Sequence, residues 1–316
     1  MYGCLPGQGA ARPLVFSAHL DTVFPKSVDL RLVRDADRIT GPGIGDNALG
    51  VAGLISLAEL LRRRPPLAGN LWFVANVAEE GLGNLRGMQA VVDRFKDDVS
   101  AYIVLEGTAL GRVYHRGLGV QRYRITVRTA GGHSWVNYGQ PSAIHEMARL
   151  VVSLVDIPLP SQPRTTLNVC VISGGTSINT IASEASLELD LRSEDEQVLA
   201  QLARQVEKIA WDAAHSEDKN FVQVSSERIG HRPVGSIPAA HPLVQLAKRC
   251  QESQGVNVSL GIGSTDANLP LSLGLPAICI GITTGGGAHT LQEYIHTTPV
   301  CQGLAALVSL IEPLFR

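Results

Sequence analysis

The sequence predicts an α/β fold with a mainly parallel sheet and helices on its faces, interrupted by a ferredoxin-like α+β domain. Short apolar runs alternate with longer helical patterns at both ends of the chain, which is typical of a parallel sheet. The middle has half-polar strands and helices in the order β-α-β-β-α-β, which is the ferredoxin-like order. The predicted domains are therefore residues 1–112 and 231–316 as two segments of one domain, and residues 113–230 as the inserted domain.

The first segment contains three buried strands and a helix. The strands are continuous apolar runs, as expected of strands covered on both faces: PLVFSAHL (13–20), NLWFVANVA (70–78) and AYIVLEG (101–107). The helix NALGVAGLISLAELLRRR (47–64) has apolar residues at helical spacing. It ends on basic residues followed by Pro65 and Pro66, which is a stop signal.

The inserted domain alternates polar and apolar residues along its strands, as half-exposed strands do. Its elements, in chain order, are GVQRYRITVRTAG (119–131), SAIHEMARLVVSLV (142–155), TTLNVCVIS (165–173), ASLELDLRS (185–193), DEQVLAQLARQVEKIAWDAA (195–214) and NFVQVSSER (220–228). The last segment returns to the first style, with a helix, a buried strand and a final helix: PLVQLAKRCQESQG (242–255), PAICIGI (276–282) and PVCQGLAALVSLIEPLF (299–315).

Composition narrows the class of protein. The 316 residues are 45% apolar and 18% charged, which suits a globular protein with a large core. A net charge of −2 gives no electrostatic reason to expect nucleic acid or a membrane as partner. No apolar stretch is long enough to span a bilayer, and the N-terminus lacks the pattern of a secretory signal.

The cysteines indicate the compartment. Five of them are scattered without CxxC spacing, so we expect reduced, mostly buried thiols and a cytoplasmic protein. Cys170 and Cys279 lie in apolar runs, where packing in the core is the expected role.

Acidic and imidazole side chains follow the ends of the predicted strands in the first domain. Ligands of open parallel sheets bind at the carboxyl ends of the strands. His19 and Asp21 lie two residues apart, so on a strand they would share a face. The full set is His19, Asp21, Asp46, Glu79, Glu80, Glu106 and His289.

Each of these residues also has an ordinary explanation. Asp46 lies in the glycine-rich turn GPGIGDNALG and could be a helix N-cap. His19 could be a buried core histidine with its hydrogen bonds satisfied, and Glu106 and His289 could be ordinary loop residues. The two adjacent glutamates, Glu79 and Glu80, could form a surface turn. A single site explains all of them together. Two histidines and at least three carboxylates suit a borderline metal such as zinc, and two ions would balance so many carboxylates.

The adjacent glutamates Glu79 and Glu80 are predicted to have two different roles. Neighbouring residues at a strand end point in different directions. One carboxylate can therefore bind a metal ion while the other faces the substrate as a general base.

The polar motifs together resemble the cocatalytic zinc metallopeptidase family that includes glutamate carboxypeptidase, aminoacylase, acetylornithine deacetylase, succinyl-diaminopimelate desuccinylase and peptidase T. The resemblance covers nearly the whole chain and implies a zinc-exopeptidase-like fold. It is carried by SAHLDTVFP, GIGDNALG, NVAEEGLGNLRG, VLEGT, AGGHSW, ISGGTSINTIASEASLELDLRS, GSTDANLP and GGGAHTLQEYI, in this order.

The resemblance implies five metal ligands. His19 and Glu106 would bind one ion, Glu80 and His289 would bind the other, and Asp46 would bridge them. The cofactor would be two zinc ions, with cobalt or manganese as possible substitutes.

The resemblance also implies roles around the metals. Asp21 would orient the metal-bound imidazole two residues earlier, as carboxylates commonly do. Glu79 would be the general base and then the acid. The inserted domain would serve as lid and dimerisation domain, with His133 reaching the partner subunit's site to stabilise the oxyanion. Asn179 and Arg192 would hold the substrate, Arg192 by its terminal carboxylate. Without the resemblance, a tight glycine turn, a turn amide and an exposed strand-end cation are the better explanations of these three.

Two features depart from the family pattern. Members usually carry several tens of residues before the HxD strand, so the short N-terminus predicts a missing helix layer and exposed apolar surface. The turn GDNALG also lacks the second acidic residue that many peptidases of the family place beside the bridging aspartate.

The expected function is hydrolysis of the amide bond in short peptides or N-acyl amino acids that carry a free carboxylate, by a homodimer joined through the lid domain. Three alternatives stay open. They are deacylation of a single metabolite, a non-catalytic dimeric binding protein that keeps the fold, and a two-metal phosphoesterase or nuclease. The last is disfavoured by the lack of a Walker-type loop and of a basic patch.

Overall fold

The structure, a computed structural model, describes residues 1–215 and 222–315. Contacts divide the chain into one unit formed by Met1–Gly117 and Val234–Arg316, and a second unit, Leu118–Pro233. These divisions fall a few residues after the predicted boundaries. The reason at the first boundary is the strand Arg112–Gly117, which pairs with strands of the first unit.

The first unit is built on an eight-stranded sheet. Its centre is four parallel strands, which lie in the order Gly69–Asn76, Ala11–His19, Ala101–Leu105 and Ala277–Ile280. Antiparallel strands extend the sheet on both sides: Tyr2–Leu5 at one edge, and Arg112–Gly117 with Gly235–Ser236 at the other. Ser259–Gly263 pairs in parallel with Arg112–Gly117. The predicted α/β class with a mainly parallel sheet is confirmed.

Helices cover this sheet because each presents one apolar face to it. The helices are Leu49–Leu61, Arg86–Phe95, Pro242–Glu252, Asn268–Ser272 and Val300–Ile311, and the 3₁₀ turn Glu312–Phe315 follows the last. The predicted helix 47–64 begins later than expected, because residues 44–48 form an irregular turn. The strand Tyr2–Leu5 and the helix Arg86–Phe95 were not predicted from the sequence.

The expectation that no apolar stretch is long enough to span a bilayer is wrong for one helical segment of the described residues. Ile44–Leu61 is long and apolar enough to cross a membrane by length and composition alone. Leu54, Leu57 and Leu61 of this segment are buried in the hydrophobic core of the first unit. A core helix passes the same test, so this segment is weak evidence for a membrane span.

A small sheet of four short strands lies outside the main one. Its strands are Gly285–Gly286, Tyr294–His296, Arg38–Thr40 and Val33–Asp35, in this order. It joins the segment that carries His289 to the segment before the glycine-rich turn. Residues from opposite ends of the chain are thereby brought together.

The second unit has four long antiparallel strands and two helices in the predicted chain order β-α-β-β-α-β. The sheet order is Thr165–Gly174, Glu184–Ser193, Gly119–Arg128 and Gln223–Arg232. The helices Ala143–Val155 and Glu196–Ala214 pack against it with a separate hydrophobic core. Residues 220 and 221, the start of the predicted strand 220–228, lie outside the described residues.

The expectation of mostly buried cysteines is wrong. All five thiols are free, but Cys4, Cys170 and Cys301 are exposed and Cys250 and Cys279 are buried. Cys170 was expected in the core because its run is apolar. It lies on the edge strand Thr165–Gly174, whose last five residues are all exposed.

Candidate metal centre

His19 ends a central strand of the main sheet and is almost fully buried. Its Nδ1 atom lies 2.9 Å from the carbonyl oxygen of Asp21. A carbonyl oxygen only accepts, so Nδ1 carries the proton and Nε2 is the atom available as a ligand. Burial lowers the pKa of His19, but contacts with Asp21, Asp46 and Glu106 outweigh burial and raise it. The surroundings of Nε2 therefore favour positive charge, whether a proton or a metal ion.

Asp21 has a wider structural role than the sequence indicated. Its carboxylate lies 3.6 Å from His19 Nδ1, farther than its carbonyl oxygen does. The carboxylate accepts hydrogen bonds from the backbone N–H groups of Glu80, at 2.9 Å, and Glu79, at 3.4 Å. Burial raises the pKa of Asp21, but contact with His19 and these N–H groups lowers it to about 2. Asp21 thus joins the histidine and the glutamate pair.

Asp46 lies between the two histidines. Its Oδ1 atom is 3.1 Å from His19 Nε2, and its Oδ2 atom is 3.0 Å from His289 Nε2. The alternative role as an N-cap is not observed, because the helix begins at Leu49 without a side-chain cap. One carboxylate oxygen for each imidazole is the arrangement that a bridging ligand needs.

Glu106 and Glu80 lie near different histidines. Glu106 Oε1 is 3.7 Å from His19 Nε2, and Glu80 Oε1 is 3.5 Å from His289 Nε2. His289 follows a glycine-rich turn and has a positive φ of 65°, and its half-exposed ring faces Asp46. The structure therefore brings together all five predicted metal ligands, and their division between two ions stays a prediction.

The residues fit a divalent cation. Nε2 of His19 and Oε1 of Glu80 are buried and have no hydrogen-bond partner among the described residues. Ligand atoms of His19, Asp46 and Glu80 lie within 4.8 Å of one another. Burial, then the charges of Asp46 and Glu79, raises the pKa of Glu80 to about 8. A metal ion would relieve both the missing partners and the crowding of carboxylates.

Glu79 is buried beside the cluster, and its charge also acts on Glu106. The residue before it, Ala78, has a positive φ of 66°, so the chain turns sharply where the strand Gly69–Asn76 has ended. The proposed role of Glu79 as general base stays a prediction.

Two residues that support the site were missed from the sequence. The amide of Asn47 donates to the carbonyl of Leu105 and accepts from the N–H of Gly107, so it grips the backbone on both sides of Glu106. An aspartate there could not donate to that carbonyl, which gives a physical reason for the departure from the acidic pattern. Glu293 holds the turn before Asp46. Neither residue belongs to a recognisable ligand pattern.

The predicted residues of the second unit lie on two neighbouring loops and a strand. His133 pairs with Thr180 in a short two-stranded ladder, and the N–H of Ser134 donates to the carbonyl of Asn179. His133 Nδ1 accepts from backbone N–H groups, so Nε2 is its free donor. Arg192 pairs with Asp190, their Nε and Oδ1 atoms being 2.6 Å apart. The roles of these residues in binding and catalysis stay predictions.

Known proteins share both the sequence pattern and the fold. Residues 15–313 match the sequence profile described as Peptidase family M20/M25/M40. A Peptidase M20 domain-containing protein of Schizosaccharomyces pombe is 32% identical over 215 residues, which cover 65% of this chain and 50% of that protein. A probable succinyl-diaminopimelate desuccinylase of Staphylococcus aureus is 25% identical and covers 89% of this chain and 78% of its own length.

A solved structure of a tripeptidase from Staphylococcus aureus superposes with a TM-score of 0.81 at 19% identity, covering 100% of this chain and 84% of that chain. The chain spans about half the length of the first curated relatives it matches. Because the family profile covers nearly the whole chain, from the first buried strand to the last helix, the chain belongs to peptidase family M20/M25/M40.

Proposed function

We propose that this protein is a dinuclear zinc hydrolase that cleaves the amide bond of short peptides or N-acyl amino acids bearing a free carboxylate. The observation that carries the proposal is Asp46, whose two oxygens face two different imidazoles. Glu106 and Glu80 complete one set of ligands on each side. Cobalt or manganese could take the place of zinc in such a mixed nitrogen and oxygen site.

Bound zinc ions would make a water molecule acidic and polarise the scissile carbonyl. Glu79 would take the proton from this water and later give it to the leaving amine. Its burial keeps the carboxylate close to the reaction and away from bulk water. Nε2 of His133 would donate a hydrogen bond to the developing oxyanion.

The substrate would carry a carboxylate because Arg192 can offer its guanidinium to one. Its Nε and Nη2 atoms both donate to Asp190, and the side chain is 40% exposed, so the rest of the fork still faces solvent. Asn179 would contribute amide hydrogen bonds. Relatives are named as probable carboxypeptidases and as a desuccinylase, which supports amide hydrolysis but does not separate peptides from a single acylated metabolite.

The first test combines metal content with a substrate panel. The purified chain should bind zinc and release amine from dipeptides or N-acyl amino acids, measured by ninhydrin. Each substrate should be paired with its C-terminal amide, which we expect to react poorly. Equal rates for acid and amide would remove Arg192 from the site. Zinc binding without any hydrolysis would favour the non-catalytic binding protein.

A homodimer through the second unit is part of the proposal. The strand Thr165–Gly174 lies at the edge of its sheet, and its residues Val171 and Ile172 are exposed. Val152 and Val155 are also exposed on the helix Ala143–Val155, which packs on the same sheet. An exposed apolar edge strand favours pairing with another chain, here a second copy. We also propose a cytoplasmic location, which the five free thiols support.

Mixed dimers test whether His133 serves the partner subunit's site. Glu79→Gln and His133→Ala chains, each nearly inactive alone, should regain activity when they are refolded together. One site of each mixed dimer would then take Glu79 from one chain and His133 from the other. Random pairing restores roughly a quarter of the wild-type sites in a two-fold dimer. No recovery, with mixed dimers confirmed by mass spectrometry, would show that His133 does not act in the partner's site.

A further inference from the structure

We infer that Glu293 is a positioning residue for metal binding, which holds the turn that presents Asp46. Its side chain is 1% exposed, and its carboxylate accepts three backbone hydrogen bonds from that turn. The donors are the N–H groups of Gly43 at 3.1 Å, Gly45 at 2.7 Å and Asp46 at 2.7 Å. The inference rests on the proposed function, because it concerns the same metal site.

The contacts account for the glycines of the turn. Gly43 has a positive φ of 70°, which is costly for other residues and helps to aim successive N–H groups at one point. A Cβ atom on Gly45 would lie 2.6 Å from the Thr108 side chain and 3.1 Å from Glu293 Oε1. The glycines of GPGIGD therefore allow the turn to bind the carboxylate of a residue that is distant in the sequence.

Glu293 also links the segment that carries His289 to the turn that carries Asp46. Its own carbonyl oxygen accepts from the N–H of Gly41, so backbone and side chain both grip the turn. It lies four residues after His289, whose ring faces Asp46 Oδ2. The distance between the imidazole of His289 and the bridging carboxylate of Asp46 thus depends on the hydrogen bonds that Glu293 accepts from the turn.

Glu293 itself reaches no ligand position, since its two oxygens are occupied by the backbone. Its effect on the metals is therefore indirect, through the position of Asp46. Loss of such an outer contact typically weakens metal affinity by about 10–100-fold. Glu293→Gln keeps the shape but has a single acceptor oxygen, so its NH₂ group faces a backbone donor.

The test measures zinc affinity directly. The zinc dissociation constant of wild type and Glu293→Gln is determined by competition with a chromogenic chelator, alongside thermal unfolding of the metal-free proteins. We expect Glu293→Gln to bind zinc about 10–100-fold more weakly. Glu293→Asp keeps the charge but draws the carboxylate back, and it should also bind zinc more weakly. If the Glu293→Gln variant does not fold, the zinc affinity of Glu293→Asp decides whether Glu293 supports metal binding.

Asp195→Asn is the matched control. Asp195 also accepts two backbone N–H groups through one carboxylate oxygen, but at the start of a helix in the second unit. We expect its zinc affinity to equal that of wild type. An unchanged zinc affinity in the folded Glu293 variants, with only a lower unfolding temperature, would overturn the inference and leave the proposed function standing. Absence of zinc binding by the wild-type chain would overturn both.

Discussion

Glu79→Gln should keep its metal ions and lose about 10²–10⁴-fold in kcat, the usual loss on removal of a general base. Glutamine has nearly the same shape as glutamate but cannot take a proton from water. The side chain is buried beside the cluster, while Glu80 lies next to His289. The measurement is kcat on the best substrate of the panel, with zinc content determined on the same samples.

Glu80→Gln is the matched variant, since it makes the same change one residue later. Its carboxylate is 3.5 Å from His289 Nε2, so we expect this variant to lose zinc as well as activity. If Glu79→Gln lost zinc while Glu80→Gln kept it, the base and the ligand would have been assigned in the wrong order.

Asp46→Ala should weaken both metal positions at once. Its carboxylate faces His19 with one oxygen and His289 with the other, so its loss removes a candidate ligand from both sides. We expect a loss of zinc affinity larger than the about 10–100-fold that removal of an outer residue causes. Elemental analysis after equilibration at limiting zinc measures the occupancy.

Asp29→Ala serves as the control for this experiment. Asp29 is an exposed carboxylate that bonds only locally, to the backbone and side chain of Arg31 in the contacts described. The control should keep its zinc. An Asp46→Ala chain with two zinc ions per protomer would refute the bridging role, and a chain with one would show that Asp46 serves a single ion.

The central strands were predictable because they are buried on both faces. Residues such as Phe16 and Ile103 are fully buried, so their strands read as continuous apolar runs. The strand Tyr2–Leu5 has no such signal, since it pairs at the sheet edge and three of its four residues are exposed. Cys170 was misplaced for the related reason that an apolar run does not reveal whether a strand lies at the edge of its sheet.

The cluster of candidate ligands was predictable because a zinc site would restrict the residue types and parallel strands restrict their place. His19 and Glu106 lie where neighbouring strands end, so strand order brings them together. Glu293 had no comparable signal. It acts by accepting backbone N–H groups, and neither its type nor its spacing from His289 indicates which turn it will meet.

The place of one strand in the sheet affects how the chain folds while it is being synthesised. Ala277–Ile280 pairs on one side with Ala101–Leu105, but some 170 residues separate them in the chain. Until it has left the ribosome, Ala101–Leu105 offers an open edge, and all five of its residues are ones that the finished protein buries. We expect nascent chains stopped before residue 277 to recruit chaperones or aggregate. The ligand set proposed above includes His289, so the complete site can assemble only after that residue has left the ribosome.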